Sequence, residues 1–159
     1  MKRAHRQRLL LLAGVAAVAL LALWQWRHER AQQPQPLLAL RPEAIAQISL
    51  RRHGAATEHY QRRDGHWWRV DGALTRDDDG RLGEIAQIAA APVLHWRPAS
   101  DFQSAAIGLQ PPALTLNLQG QQIDFGDVAA TAPLRYVRVG ARIALIPLSY
   151  MPRPPRPAP

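Results

Sequence analysis

The chain has 159 residues, which is room for one domain of modest size and short appendages. It contains no cysteine, so disulfides, thiolate metal sites and a cysteine nucleophile are excluded. The formal net charge is +8, but residues 1–30 carry +5, residues 151–159 carry +2 and residues 41–150 carry only +1. Nucleic-acid binding requires a basic patch on the folded domain, so we expect no nucleic-acid partner.

The N-terminus has the pattern of a membrane anchor. Residues 1–8, MKRAHRQR, are basic, and the uncharged run 9–26 follows. A helix of that length measures about 27 Å, close to the ~30 Å of a hydrocarbon layer. The candidate anchor residues are Leu9, Leu20, Trp24 and Trp26, the two tryptophans standing where indole rings favour the headgroup region.

A cleaved signal peptide is the alternative interpretation of this N-terminus. It would require small residues before the cleavage point, whereas ALLALWQWRHER has large and charged ones there. Four basic residues precede the apolar run and two follow it within a few positions, which predicts a cytoplasmic N-terminus. The sequence therefore predicts a single-pass inner-membrane protein with the lipid bilayer as a partner and its C-terminal domain in a bacterial periplasm.

Composition divides the rest of the chain into three parts. Residues 27–41 include the polar, proline-bearing stretch AQQPQP and are predicted to be a linker. Residues 42–150 are predicted to be the folded domain. Residues 151–159, MPRPPRPAP, are predicted to be extended and disordered.

Short strand patterns alternate with turn residues along the predicted domain. Leu82, Ile85, Ala86 and Ala89 instead recur at helical spacing before Pro92. The predicted strands are 44–52, 57–63, 66–70, 93–97, 113–119, 122–126, 134–140 and 142–148, with hairpin turns at Asp64-Gly65, Gly120-Gln121 and Gly140-Ala141 and one helical turn at 104–107. The pattern predicts an α+β domain of antiparallel β meanders with one main helix packed on the sheet.

The run Asp77-Asp78-Asp79 has two possible explanations. If Gly80 is aligned with the glycine of an EF-hand loop, Thr75 and Ala86 occupy the first and twelfth ligand positions, where carboxylates are required. Aspartates also cap free helix N–H groups and favour the positive end of the helix dipole. Because the helical spacing starts directly afterwards, the run predicts a helix start.

Other candidate sites are sparse. His59 and His66 lie on strands that can pair, so they can approach each other, but no third metal ligand is evident. The serines lack a nucleophile-elbow pattern, and Asp124 and Asp127 flank Gly126 in a predicted turn. We therefore expect no catalytic residues, no enzymatic activity, no metal site and no cofactor.

Trp67 and Trp68 form the candidate interaction surface. Adjacent residues of a strand point to opposite sheet faces, so both rings cannot enter the core of a sheet that is covered on one side only. One of them is expected to be exposed, or to be covered by the helix or by a partner. Which of the two it is stays open at this stage.

Five short motifs follow one another along the predicted domain, namely Trp68-Arg69-Val70, Asp79 before a helix, Gly108-Leu109-Gln110-Pro111, Phe125-Gly126 and Arg135-Tyr136-Val137-Arg138. In this order, over about residues 45–148, they show a resemblance to the bacterial family called domain of unknown function 4340. It implies an envelope protein with an N-terminal membrane helix, in some members associated with gliding-motility-type ABC transporter components, and it carries no established catalytic residue. Gly108 and Gly126 are expected in turns and Tyr136 on a half-buried strand.

The leading hypothesis is therefore an accessory subunit whose periplasmic domain binds another envelope protein. The alternative is a periplasmic module that binds a small ligand or a metal through Trp67 or Trp68 with His59 and His66 nearby.

Overall fold

The computed structural model describes residues 15–25, 34–130 and 132–153. The chain divides into two units, Met1–Pro34 and Gln35–Pro159. In the first unit residues 15–25 are α-helical, and apolar side chains such as Leu20 and Trp24 are 69% and 66% exposed. Leu9 and Trp26, at the two ends of the predicted membrane segment, lie outside the described residues. Within the described part of the chain, no helix combines the length and the apolar character needed to cross a membrane.

The second unit is an α+β domain, as predicted, with antiparallel strand pairs and one main helix. Its large sheet has the strand order β5-β4-β3-β2-β8-β9-β10-β11-β7, and β1 pairs with β6 separately. The strands are β1 (Gln35–Pro36), β2 (Gln47–Arg52), β3 (Glu58–Arg63), β4 (His66–Arg69), β5 (Thr75–Arg76), β6 (Pro92–Val93), β7 (His95–Pro98), β8 (Leu114–Leu118), β9 (Gln121–Val128), β10 (Leu134–Val139) and β11 (Arg142–Pro147).

Two meanders, β2 to β5 and β8 to β11, lie side by side in this sheet because β2 pairs with β8. The turn between β3 and β4 has Asp64 at φ 51° and Gly65 at φ 81°, the left-handed pair that a two-residue hairpin requires. The turn between β8 and β9 uses Gln119 at φ 52° and Gly120 at φ 87°. That turn was predicted one residue too late, since glycine occupies its second left-handed position and not its first.

Helix α1 (Asp79–Gln87) begins where the aspartate run predicted it. The Asp78 carboxylate caps it by accepting hydrogen bonds from the backbone N–H groups of Gly80 and Arg81. Leu82 and Ile85 are buried, and a 3₁₀ turn (Ile88–Ala90) continues the helix. The helix-start interpretation of the run is confirmed.

The main core lies between α1 and one face of the sheet, which we call the inner face. Alternation places Ile48 and Leu50 of β2 on this face, opposite Leu118 and Leu116 of β8. Phe125 of β9 is fully buried in the same cluster. The side chains between these positions point to the other side, the outer face, which is polar over β2 and β8.

The domain begins and ends beyond the predicted boundaries. Leu37 and Leu38, placed in the linker from sequence, are buried in the core. In the predicted tail, Pro152 is buried and Arg153 pairs with Glu84 of α1 at 3.4 Å. Leu37, Leu38 and Pro152 are apolar, so burying them favours ordering of both ends of the domain. The remainder of the tail, 154–159, lies outside the described residues.

Gly126 is not in a turn as predicted but within strand β9. A Cβ at this position would lie 2.3 Å from the Ile107 carbonyl oxygen. The segment around Ile107 therefore approaches β9 so closely that only glycine leaves room. Gly108, in contrast, has φ 68° at the end of a 3₁₀ turn (Ser104–Ile107), and both features match the prediction.

Candidate interaction surface

The tryptophan pair is divided between the two faces of β4. Trp67 lies on the inner face and is 3% exposed, so its ring is part of the core. Trp68 lies on the outer face and is half-buried. Sequence reasoning placed both in one candidate surface; the structure leaves Trp68 as the member that a partner can reach.

Polar side chains of the two neighbouring strands lie on either side of Trp68. It is directly opposite Gln61 of β3 and Arg76 of β5. His66 lies two residues before it on β4 and therefore points to the same side. We define the Trp68 face as the outer-face side chains of β3 to β5, namely His59, Gln61, Arg63, His66, Trp68 and Arg76.

Asp79, the first residue of α1, ties one end of the Trp68 face to the helix. Its Oδ1 accepts the backbone N–H of Trp67 at 2.6 Å, and its Oδ2 lies 2.8 Å from His66 Nδ1 and 3.1 Å from Arg76 Nη2. The pKa of Asp79 is held well below its usual range, first by the Trp67 N–H and then by His66 and Arg76. The carboxylate is therefore ionised, and it holds the Arg76 guanidinium and the His66 ring in this corner of the face.

Asp71 occupies the other end of the face with a similar arrangement. Its Oδ2 accepts the backbone N–H of His59 at 2.6 Å, and its Oδ1 lies 2.7 Å from His59 Nδ1. The His59 backbone donor, together with its ring and Arg69, lowers the pKa of Asp71. Trp68 thus stands between two histidine–aspartate pairs.

The two histidines, which pairing of their strands would allow to approach each other, do not do so. His66 is opposite Arg63, which is four residues beyond His59 on β3. The two residues are therefore about 13 Å apart along the strand direction. Among the described residues, no group of three or more His, Asp or Glu side chains is placed to hold a metal ion.

Ser49 gives His59 a second neighbour that sequence reasoning missed. Ser49 of β2 is directly opposite His59 of β3, which places their Cβ atoms about 5 Å apart. Ser49, His59 and Asp71 therefore form a row with the residue types of a hydrolase triad. Across the described residues, however, no hydrogen bond joins the Ser49 hydroxyl to His59, and the flat strand lacks a nucleophile elbow. The row could not be predicted from the sequence because the register of the β2–β3 pair was not known.

Asp124, one of the two carboxylates that flank Gly126, is buried and is hydrogen-bonded by neighbouring side chains. It is 3% exposed on the outer face of β9 and accepts hydrogen bonds from Thr115 Oγ1 at 3.0 Å and Gln122 Nε2 at 2.9 Å. Arg138 donates to it twice, at 2.7 and 3.2 Å. Its acceptor sites are occupied, so no lone pair is left for a substrate. Asp127, at the end of β9, is exposed.

The Trp68 face has the composition of a protein-binding surface. Tryptophan and arginine are the residues most enriched at binding hot spots, and this face offers a half-exposed indole with Arg63 and Arg76 around it. The two ionised aspartates, Asp71 and Asp79, fix His59, His66 and Arg76 at the two ends of the face. An acidic or aromatic partner side chain can therefore find both a stacking surface and fixed donors there.

The chain matches no protein-family model, no curated protein and no solved structure. The candidate surface is therefore defined by the geometry of this molecule alone.

Proposed function

We propose that this chain is a single-pass inner-membrane protein whose α+β domain binds another envelope protein through the Trp68 face, as an accessory subunit without catalytic activity. The observation that carries the proposal is the helical segment 15–25. Its apolar side chains, including Val18 and Leu20 at 67% and 69%, are exposed to the surroundings. Exposed apolar surface of this kind indicates contact with a lipid or protein environment.

Lipid is the favoured environment because of the sequence on either side of the helix. The basic residues 1–8 precede it, and the apolar run continues from residue 9 to Trp26 without a charge. This arrangement supports a cytoplasmic N-terminus and a periplasmic domain. The ordered motifs that resemble domain of unknown function 4340 support the same location and an accessory role.

Membrane insertion is tested with the full chain and a Leu20→Arg variant. An arginine at the centre of a spanning helix costs about 2.5–3.5 kcal/mol of insertion free energy. We expect the wild-type chain to resist alkaline carbonate extraction and its domain to be cut by protease added to the periplasmic side. A matched Gln47→Arg variant, with the new charge on the sheet, should behave as wild type. Release of the wild-type chain by carbonate would reject the membrane proposal.

Partner binding is tested by crosslinking the full chain in native membranes and identifying the captured protein. Trp68→Ala should abolish the specific crosslink because it removes the central ring of the face. The control is Trp96→Ala, which alters another half-buried tryptophan, on the opposite edge strand β7. If the crosslink survives Trp68→Ala, or is lost equally in Trp96→Ala, the Trp68 face is not the binding surface.

A further inference from the structure

His66 Nδ1, in the corner of the Trp68 face next to helix α1, lies close to two groups that require opposite things of it. Asp79 Oδ2 is 2.8 Å away and, as an ionised carboxylate, only accepts hydrogen bonds, whereas Arg76 Nη2 is 2.9 Å away and only donates them. A ring nitrogen carries either a proton or a lone pair, so it serves one of these partners at a time. The proton on Nδ1 therefore decides whether His66 is bonded to Asp79 or to Arg76.

The two partners of His66 keep their charges across the range in which histidines titrate. Arginine stays positive, and Asp79 stays ionised because the Trp67 N–H, His66 and Arg76 lower its pKa. Histidine is the side chain whose charge ordinarily changes between about pH 5 and 8. The His66 side chain is 47% exposed, so protons reach it from the solvent.

Charged groups from three elements surround the His66 ring. Arg63 of β3 is directly opposite His66, Arg76 comes from β5 and Asp79 from α1, and Asp64 lies in the turn before β4. With a neutral ring, Arg76 Nη2 donates to His66 Nδ1 and lies 3.1 Å from Asp79 Oδ2. A proton on Nδ1 places an imidazolium against the Arg76 guanidinium and across from Arg63, and like charges this close repel each other. Protonation therefore favours the His66–Asp79 pair and drives Arg76 off the ring.

The neighbouring carboxylates of the aspartate run are already engaged with helix α1. Asp77 Oδ1 accepts from Arg81 Nη2 at 3.3 Å, and the Asp78 carboxylate caps the helix. Arg76 is directly opposite Trp68 across the β4–β5 pair. A guanidinium that leaves His66 is therefore placed beside the indole ring, in the middle of the Trp68 face.

We propose that His66 is a proton switch of the Trp68 face: a neutral ring holds Arg76 in the corner next to α1, and a protonated ring releases it toward Trp68. Acid then adds one charge and one free guanidinium to the face. Because both favour carboxylates, a partner that binds through acidic side chains is held more tightly at about pH 5.5 than at about pH 7.5. This regulation rests on the proposed function, since it acts on the surface that the partner is proposed to occupy.

The switch is tested by a pH titration of the full chain in detergent micelles, followed by NMR between about pH 8 and 5. We expect the Nε–Hε signal of Arg76 to shift with the same midpoint as the ring nitrogens of His66. His66→Gln, checked for folding by circular dichroism, should abolish the shift of Arg76. The matched control is His59→Gln, because His59 Nδ1 also lies 2.7 Å from an aspartate, but no arginine is hydrogen-bonded to it within the described part of the chain. This control should leave the titration of Arg76 unchanged.

Three results of the titration would reject the switch. They are an Arg76 signal that does not follow His66 in the wild-type chain, one that still titrates in His66→Gln, and one that no longer titrates in His59→Gln.

The effect on binding is measured by photo-crosslinking in native membranes at about pH 7.5 and 5.5, on either side of the ordinary histidine range. A crosslink that depends on Trp68 should be stronger in acid for the wild-type chain and equal at both pH values for His66→Gln. A Trp68-dependent crosslink with the same pH response in both chains rejects the regulation and leaves the proposed function standing. If no crosslink depends on Trp68, the proposed function itself fails.

Discussion

Asp79 and Trp67 connect helix α1 to strand β4, because Asp79 Oδ1 accepts the Trp67 backbone N–H at 2.6 Å. This bond joins the first residue of the helix to the strand that carries the tryptophan pair. It sets where α1 starts relative to the sheet, and it leaves Trp68, the next residue, directed to the opposite face. The position of the candidate surface thus depends on a helix-terminal carboxylate.

Acid is expected to weaken the fold through Asp79. The pKa of this carboxyl is lowered in the folded state, so its stabilising effect is complete above its unfolded pKa of about 4 and is lost as the pH falls through the lower folded value. Asp79→Asn keeps an oxygen acceptor for Trp67 but has no charge. The melting temperature of wild type should exceed that of the variant at pH 7, and the difference should shrink below about pH 4.

The control for this experiment is Asp101→Asn. Asp101 has the same side-chain exposure as Asp79, 36%, and a single arginine partner, Arg97 at 3.3 Å, but it accepts no strand amide. We expect it to change the melting temperature less than Asp79→Asn at pH 7. A difference between wild type and Asp79→Asn that is the same at pH 7 and pH 3 would contradict the proposed role of the charge.

Trp67 and Trp68 should respond differently to truncation. Trp67 is buried, so Trp67→Ala is expected to lower the free energy of unfolding by about 3–5 kcal/mol. Trp68 is half-buried, and Trp68→Ala should cost clearly less. Urea unfolding followed by far-UV circular dichroism measures both. Equal losses for the two variants would mean that both rings are core residues.

The contrast between these neighbours shows what could be read from the sequence and what could not. Alternation along a strand established that the two rings face opposite sides, and the Asp64-Gly65 turn and the helix start at Asp78 are local signals of the same kind. Which ring faces the core depends on where α1 packs. That packing is fixed by Asp79, twelve residues after Trp67, and no local pattern encodes it.

Long-range strand pairing also limits what can be predicted from the sequence in the rest of the domain. The nine-stranded sheet is continuous because β2 pairs with β8, whose residues lie more than sixty positions away in sequence. Neither hairpin signal specifies this pairing. The register of β2 and β3, which brings Ser49 opposite His59, is not specified by the residues of the connection between these strands either. The residue types of the candidate sites are visible in the sequence, but the sites could be recognised only once the strand registers were known.

Gly126 should be intolerant of any side chain. A Cβ there would meet the Ile107 carbonyl oxygen at 2.3 Å and Leu109 Cγ at 3.0 Å. Gly126→Ala is expected to cost about 1–3 kcal/mol of unfolding free energy, because backbone and a buried side chain must move. The measurement is chemical denaturation of the full chain.

Gly83 supplies the matched control for that substitution. It lies in helix α1, and a Cβ there would meet nothing within 4 Å. Gly83→Ala should raise the free energy of unfolding by about 0.5–1 kcal/mol, because alanine loses less conformational entropy in a helix. A Gly126→Ala variant as stable as wild type would show that the segment around Ile107 can move away from β9 without cost.

The row Ser49, His59 and Asp71 is expected to be catalytically silent. His59 is oriented by Asp71, with Nδ1 and Oδ1 2.7 Å apart, as in a hydrolase triad. Nucleophilic attack also requires a hydroxyl within hydrogen-bond reach of the base and donors converging on the developing oxyanion. Ser49 lies in the middle of strand β2, whose backbone N–H groups and carbonyls are engaged in pairing with β3 and β8. A sheet ladder leaves no free amide there to stabilise an oxyanion.

The full chain should therefore not react with a fluorophosphonate probe, at neutral pH or above it. Labelling is read by mass spectrometry, with a serine hydrolase as positive control and Ser49→Ala as the variant that locates any adduct. Labelling of wild type that disappears in Ser49→Ala and in His59→Gln, but persists in His66→Gln, would show an activated serine and reject the non-catalytic function. The two histidines make a sharp comparison, because each pairs with an aspartate at similar distance while only His59 has a serine opposite it.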